Sequence, residues 1–286
     1  MLGKVTVGLF FLLLVWGNLV AGLKAGLGCP DWPLCHGKVL PPFRWDIWME
    51  FMHRVIAAAA GIALAALSYD RVRAYRGAAK AVPVAAVALL LAEIALGGAV
   101  VLLGIPARLT TFHFVTGLLV FVLAYYMMTF DGLAAPPAFS ARGPSALFFG
   151  MGALVFLLAA LGAYVRHTDA GLACADWPAC FGGVLPGVLS GKVLIHFSHR
   201  VLAALVFLTV AALYAAAALD RRLGRHFRAA RGLFLMVLMQ VAVGGAVVLT
   251  RLYFLATALH LAVALGMLGI LLGMWAREIR AEEVSP

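Results

Sequence analysis

Long stretches of almost uninterrupted apolar residues recur along the chain, separated by short polar segments. Eight can be counted, at roughly 5–23, 46–69, 82–103, 110–130, 145–165, 191–219, 232–250 and 254–276. Each is near the ~20 residues that an α-helix needs to span a bilayer. The sixth is long enough to tilt, or to begin with a turn at the surface. A membrane β-barrel would instead show ~10-residue strands of alternating polarity, and that pattern is absent. The run after Lys4 looks like a signal peptide, but it has a counterpart at 145–165 and reads as a retained first helix. The pattern predicts an all-α integral membrane protein with eight transmembrane helices.

The polar segments repeat as well. Gly28-Cys-Pro-Asp-Trp-Pro-Leu-Cys35 matches Ala173-Cys-Ala-Asp-Trp-Pro-Ala-Cys180, and Gly37-Lys-Val-Leu-Pro41 matches Gly182-Gly-Val-Leu-Pro186. Gly97-Gly-Ala-Val-Val-Leu102 matches Gly244-Gly-Ala-Val-Val-Leu249. The offsets stay between 145 and 147 residues. Each half has four helices, so both enter the membrane from the same side. Two four-helix bundles related by a pseudo-twofold axis along the membrane normal are expected. The halves are 1–130 and 145–286, and 131–144, rich in Pro, Gly and Ala, has the composition of a cytoplasmic linker.

Composition agrees with this reading. The chain is 65% hydrophobic and 12% charged, against about a quarter charged in soluble proteins. A net charge of +10 raises the question of a nucleic-acid partner, but the distribution of charge argues against one. Thirteen basic residues fall on one side, in loops 70–80 and 220–231 and beside Lys4, Arg142, Arg277 and Arg280; seven fall on the other. The positive-inside rule then puts both termini in the cytoplasm and the cysteine loops on the outer face; the membrane expected is the cytoplasmic membrane of a prokaryote. The basic loops face anionic lipid.

Four histidines repeat with the helices. His53 and His199 are each followed by Arg-Val, and His113 and His260 lie 147 residues apart. At 1.5 Å per residue all four fall roughly 5–11 Å below the outer surface. Polar rings at one depth in lipid need partners, and imidazole is a good iron ligand. Two inward histidines in a four-helix bundle can hold a porphyrin. His36, His167 and His226 fall in loops and read as surface residues.

Glu50 shares a helix face with His53. Beside a metal-bound ring it could move protons; alternatively it is a solvated residue at the helix entrance. The equivalent position is His196, so one site carries an acid and the other a second imidazole. Glu93 is deep in a helix, with Gln240 at its equivalent, and is expected to be protonated or paired. Arg54 and Arg200 either bind porphyrin propionates or snorkel to the surface. The glycine pairs either pack helices or let a flat ring approach backbone. Cys29 and Cys35, and Cys174 and Cys180, can each close a disulfide outside the cell, as a staple or as a redox-active pair.

Taken together, Glu50-Phe-Met-His53-Arg54, His113, His199-Arg200, His260 and the Cys29–Cys35 loop resemble the haem A synthase family over essentially the whole chain. The resemblance implies oxidation of the C8 methyl of haem O to a formyl group, giving haem A for cytochrome oxidases. It implies haem b as cofactor on His199 and His260, haem O as substrate at His53 and His113, and Glu50 as catalytic acid. It also implies the upstream haem O synthase as a partner, while the electron acceptor and any homo-oligomer stay open. The Cys174/Cys180 pair lies outside the general family pattern. Two other classes remain: a di-haem b electron-transfer cytochrome, and a haem-handling or thiol-exchange membrane protein.

Overall fold

The structure, a computed structural model, describes residues 1–132 and 143–284. Of the expected linker, residues 133–142 lie outside the described residues. The chain forms two compact units, residues 1–138 and 139–286.

The first unit contains α1 (Leu2–Gly22), α2 (Trp45–Ala74), α3 (Ala81–Leu102) and α4 (Ala107–Thr129), with a short 3-10 turn, Gly77–Lys80, before α3. The helices close a ring in which α1 packs on α2 and α4, and α3 packs on α2 and α4. The second unit contains α5 (Gly143–His167), α6 (Gly191–Leu219), the single turn α7 (Arg221–Gly224), α8 (Phe227–Leu249) and α9 (Phe254–Val284). Its ring has the same order, α5 on α6 and α9, and α8 on α6 and α9.

Eight of these helices are long and apolar enough to cross a membrane. Their large apolar side chains are not all inside: Ile62 is 72% exposed and Leu208 62%. In water such surface would drive association; in a bilayer it faces lipid, and the helix satisfies its own backbone. The protein is therefore an integral membrane protein. Inside each ring the contacts use small residues such as Ala60, Ala86, Ala124 and Ala217, which let backbones approach.

Helix ends are fixed locally. In α2, Asp46 lies in the first turn and Arg71 and Arg73 in the last, each sign matching the helix dipole. After α3 the chain turns sharply: Gly104 N–H bonds to Val101 O and Ile105 N–H to Val100 O. Gly104 has φ +73°, the left-handed conformation that this Schellman ending requires. Arg251 takes the matching place after α8 with φ +54°.

At the end of each bundle away from the cysteines, buried polar groups tie helices together. Arg71 donates to Met127 O and pairs with Asp131, and the Tyr75 hydroxyl donates to Phe130 O. In the second unit His226 is 3% exposed, bonded to Glu278 of α9, which also pairs with Arg225. This corrects the surface reading of His226. Its partner lies 52 residues away, beyond the reach of local pattern, and the Phe148 ring packs against it at 4.8 Å between centroids.

Candidate functional site

The cysteine loops, 23–44 and 168–190, fold alike. Disulfides join Cys29 to Cys35 and Cys174 to Cys180. Within the first ring Asp31 accepts the backbone N–H groups of His36 (2.6 Å) and Gly37 (2.7 Å). In the second, Asp176 accepts those of Phe181 (2.9 Å) and Gly182 (2.7 Å). These donors hold both carboxyls below the ordinary aspartate range, the glycine N–H contributing most. Each loop also lays its tryptophan on a helix. A Cβ at Gly98 would stand 3.0 Å from the Trp32 indole, and one at Gly245 3.0 Å from that of Trp177.

The arginines after the histidines fasten the loops. Arg54 donates to Cys29 O (3.1 Å), Asp31 O (2.8 Å) and Leu34 O (2.6 Å), and through Nε to Glu50 Oε1 (3.1 Å). Arg200 donates to Cys174 O (2.8 Å), Asp176 O (2.9 Å) and Ala179 O (2.6 Å). Most of their donors are committed to protein atoms. Each loop is thus latched to the helix that carries the first histidine of its bundle.

Each histidine ring lies edge-on against a glycine of the neighbouring helix. A Cβ would stand 3.1 Å from His53 Cε1 at Gly17, 3.1 Å from His113 Cε1 at Gly97, 3.0 Å from His199 Cε1 at Gly162 and 3.0 Å from His260 Cε1 at Gly244. The paired glycines therefore have separate tasks: the first accommodates a histidine, the second a loop tryptophan. Gly17 and Gly162, 145 residues apart, were not singled out in the sequence; only their repeat spacing marks them.

The four rings are polar and under-used. Nδ1 of His53, His113, His199 and His260 is buried without an aligned hydrogen-bond partner. In the second unit the centres of His199 and His260 are 6.5 Å apart. Two imidazoles on opposite faces of one metal ion, with metal–nitrogen bonds of about 2 Å, have centres roughly 6 Å apart. The pair fits a bis-histidine haem iron. Among the described residues no group of three or more His, Cys, Asp or Glu could hold a metal ion. A porphyrin, which supplies four ligands itself, needs only the two axial ones. In the first unit Glu50 lies within electrostatic reach of Arg54 and His113, and His53 within reach of His113 and Arg54.

Around these matched rings the neighbours differ. Glu50 is buried, 6% exposed, and paired with Arg54, not solvated at the helix entrance. His196, its equivalent, is also buried and accepts the Cys174 N–H at 3.3 Å, which ties it to the loop. Glu93 Oε1 lies 3.0 Å from His113 Nδ1, off the hydrogen-bond direction. Gln240 Nε2 lies 3.3 Å from His260 Nε2. One unit thus brings two carboxyl groups to its histidines; the other brings an imidazole and an amide.

Comparison with known proteins covers nearly all of this architecture. Residues 2–272 match the family model described as "Cytochrome oxidase assembly protein", COX15-CtaA. A protein of Symbiobacterium thermophilum named "Heme A synthase" is 34% identical over 273 residues, 91% of this chain and 89% of its own. One of Bacillus licheniformis with the same name is 31% identical over 96% of this chain and 95% of its own. Another so named, from Halalkalibacterium halodurans, is 32% identical over 84% and 83%.

Proposed function

The chain belongs to the COX15-CtaA family, and from that membership we propose that it makes haem A by oxidising the C8 methyl of haem O to a formyl group. The two units divide the work. Residues 1–130 receive haem O on His53 and His113, and 145–286 hold haem b on His199 and His260. The observation that carries this division is the asymmetry around histidines seated alike on glycines, with Glu50 and Glu93 in one unit and His196 and Gln240 in the other.

Bound between His199 and His260, haem b supplies one-electron redox chemistry. The protein's own residues do the rest. His53 and His113 would hold the substrate by its iron. Arg54 holds Glu50 by Oε1, leaving the second carboxylate oxygen to take up a proton released as the methyl is oxidised. With water as the oxygen source that oxidation releases four protons and four electrons, and an external electron acceptor receives the electrons. His196 holds no acid in that place and serves its loop. The latched cysteine loops cover the histidine end of each bundle and limit water there. We place these loops outside the cell and both termini inside, from the distribution of Lys and Arg. The arginines act here as loop fasteners; their remaining donor capacity for propionates is small.

The test is co-expression with a haem O source, followed by chromatography of extracted haems at matched protein levels. Wild type is expected to yield haem A. Glu50→Ala is expected to leave haem O or a partly oxidised product, because loss of a proton-handling group costs ~10²–10⁴ in rate. Wild-type amounts of haem A from Glu50→Ala would remove Glu50 from the mechanism. Two stoichiometric haems b with no haem A would favour an electron-transfer cytochrome.

A further inference from the structure

Glu93 on α3 and Gln240 on α8 lie 147 residues apart, the offset that also relates His113 to His260. Each reaches the histidine of the helix that follows, but at a different ring atom. Glu93 Oε1 faces His113 Nδ1, and Gln240 Nε2 faces His260 Nε2. A contact at Nδ1 leaves Nε2 free to bind iron, whereas the Gln240 amide sits at the nitrogen that iron would take on His260, so it gives way to haem and leaves His260 Nδ1 without a partner. A metal-bound neutral imidazole presents an N–H on its other nitrogen, and a carboxylate there fixes the ring and raises its basicity.

The seat of Glu93 is built for a larger group than the chain would otherwise admit. A Cβ at Gly117, on α4, would stand 2.8 Å from Glu93 Oε1. At the same offset the second unit carries Ala264. The unit with the carboxylate omits a methyl group at this place, and the unit with the amide keeps it. Glu93 Oε2 is buried without a hydrogen-bond partner, so the contact of Oε1 with His113 is the one polar contact of this carboxyl group among the described residues.

We propose that Glu93 is a positioning residue for the substrate haem: it takes the Nδ1 side of His113, turns Nε2 to the iron, and makes this ligand more electron-rich than His260. A more basic axial ligand favours the ferric state, so the substrate site is poised at lower potential than a site whose histidine has no partner at Nδ1. The inference rests on the reading above that His53 and His113 hold haem O.

The experiment is a potentiometric titration, followed by visible absorbance, of full-length protein purified after co-expression with a haem O source. His53→Ala first identifies which midpoint belongs to the first unit. Glu93→Gln, close in shape, is expected to raise that midpoint by about a tenfold change in the reduction equilibrium, 59 mV for one electron, with the second-unit midpoint fixed. Gly117→Ala, which displaces the carboxylate, is expected to shift the same midpoint in the same direction. Ten- to hundredfold weaker haem retention in the first unit alone also supports the role. A Glu93→Gln protein that keeps its first-unit haem at the wild-type midpoint overturns the proposal, as does a parallel movement of both midpoints. If His53→Ala leaves both midpoints in place, the assignment of the substrate site fails, and this inference falls with it.

Discussion

Replacing Gly162 with alanine puts one methyl group against the His199 ring. The new Cβ would stand 3.0 Å from Cε1, where ordinary contact begins near 3.4 Å. The ring must therefore retreat by about 0.4 Å, or α5 must move. Without haem the ring can shift, and the helix gains about 0.8–1.0 kcal/mol in propensity from Gly to Ala. With haem bound the ring is held by the iron and cannot yield. The overpacking cost of about 1–3 kcal/mol then falls on binding, which is roughly 5- to 150-fold weaker affinity. The assay is haem b per protein after purification, with the rate of haem loss to a scavenger protein. Gly150→Ala on the same helix is the control, because a Cβ there meets nothing within 4 Å. Gly162→Ala should lose haem b while its melting temperature stays near wild type, and Gly150→Ala should lose none. Wild-type retention and loss rate in Gly162→Ala would refute the argument that the glycine exists to admit the ring.

Topology is testable at the loop tips. The native cysteines are buried and disulfide-bonded, so the probe positions are Val39 and Val184, 81% and 87% exposed. Val39→Cys and Val184→Cys are expected to react with a membrane-impermeant maleimide in intact cells; reaction only after lysis would reverse the orientation. The Asp31 and Asp176 turns give a pH dependence. Their carboxyls titrate below the ordinary value of about 3.9, so their stabilisation is complete above that value and is lost as pH falls through the lower, folded one. Tryptophan fluorescence from Trp32 and Trp177 should report loop release at acid pH. The double variant Asp31→Asn, Asp176→Asn should abolish that step, and an unchanged acid transition in it would count against the turns.

What was legible in the sequence followed from strong, repeated signals. Apolar runs marked all eight spans, because lipid forbids charge along a whole helix; α2, α8 and α9 extend five to eight residues beyond their runs through charged turns at one end. Repeat offsets picked out the four histidines and exposed the Glu50 and His196 difference. Local pattern could not supply contacts between segments far apart in the chain. The glycine under each histidine lies on another helix, and glycine is common in membrane spans. The hold of Arg54 and Arg200 on their loops depends on carbonyl groups, which no side-chain pattern records. His226 does lie in the loop before α8, but Glu278 of α9 covers it, so it is not the surface residue that a loop position suggests. The Asp-Trp-Pro motif was visible as a repeat, but its physical content was not. Asp turns the backbone and Trp rests on a glycine two helices away.

The division of labour between two like-built bundles is tested most directly by reciprocal histidine variants. His53→Ala and His199→Ala are purified after co-expression with a haem O source, and the haems of each are extracted and separated. The account predicts that His53→Ala keeps haem b and loses haem O and haem A. It predicts that His199→Ala loses haem b, keeps haem O in the first unit and forms no haem A. A His199→Ala protein with a full complement of haem b, or a His53→Ala protein that still makes haem A, would contradict it.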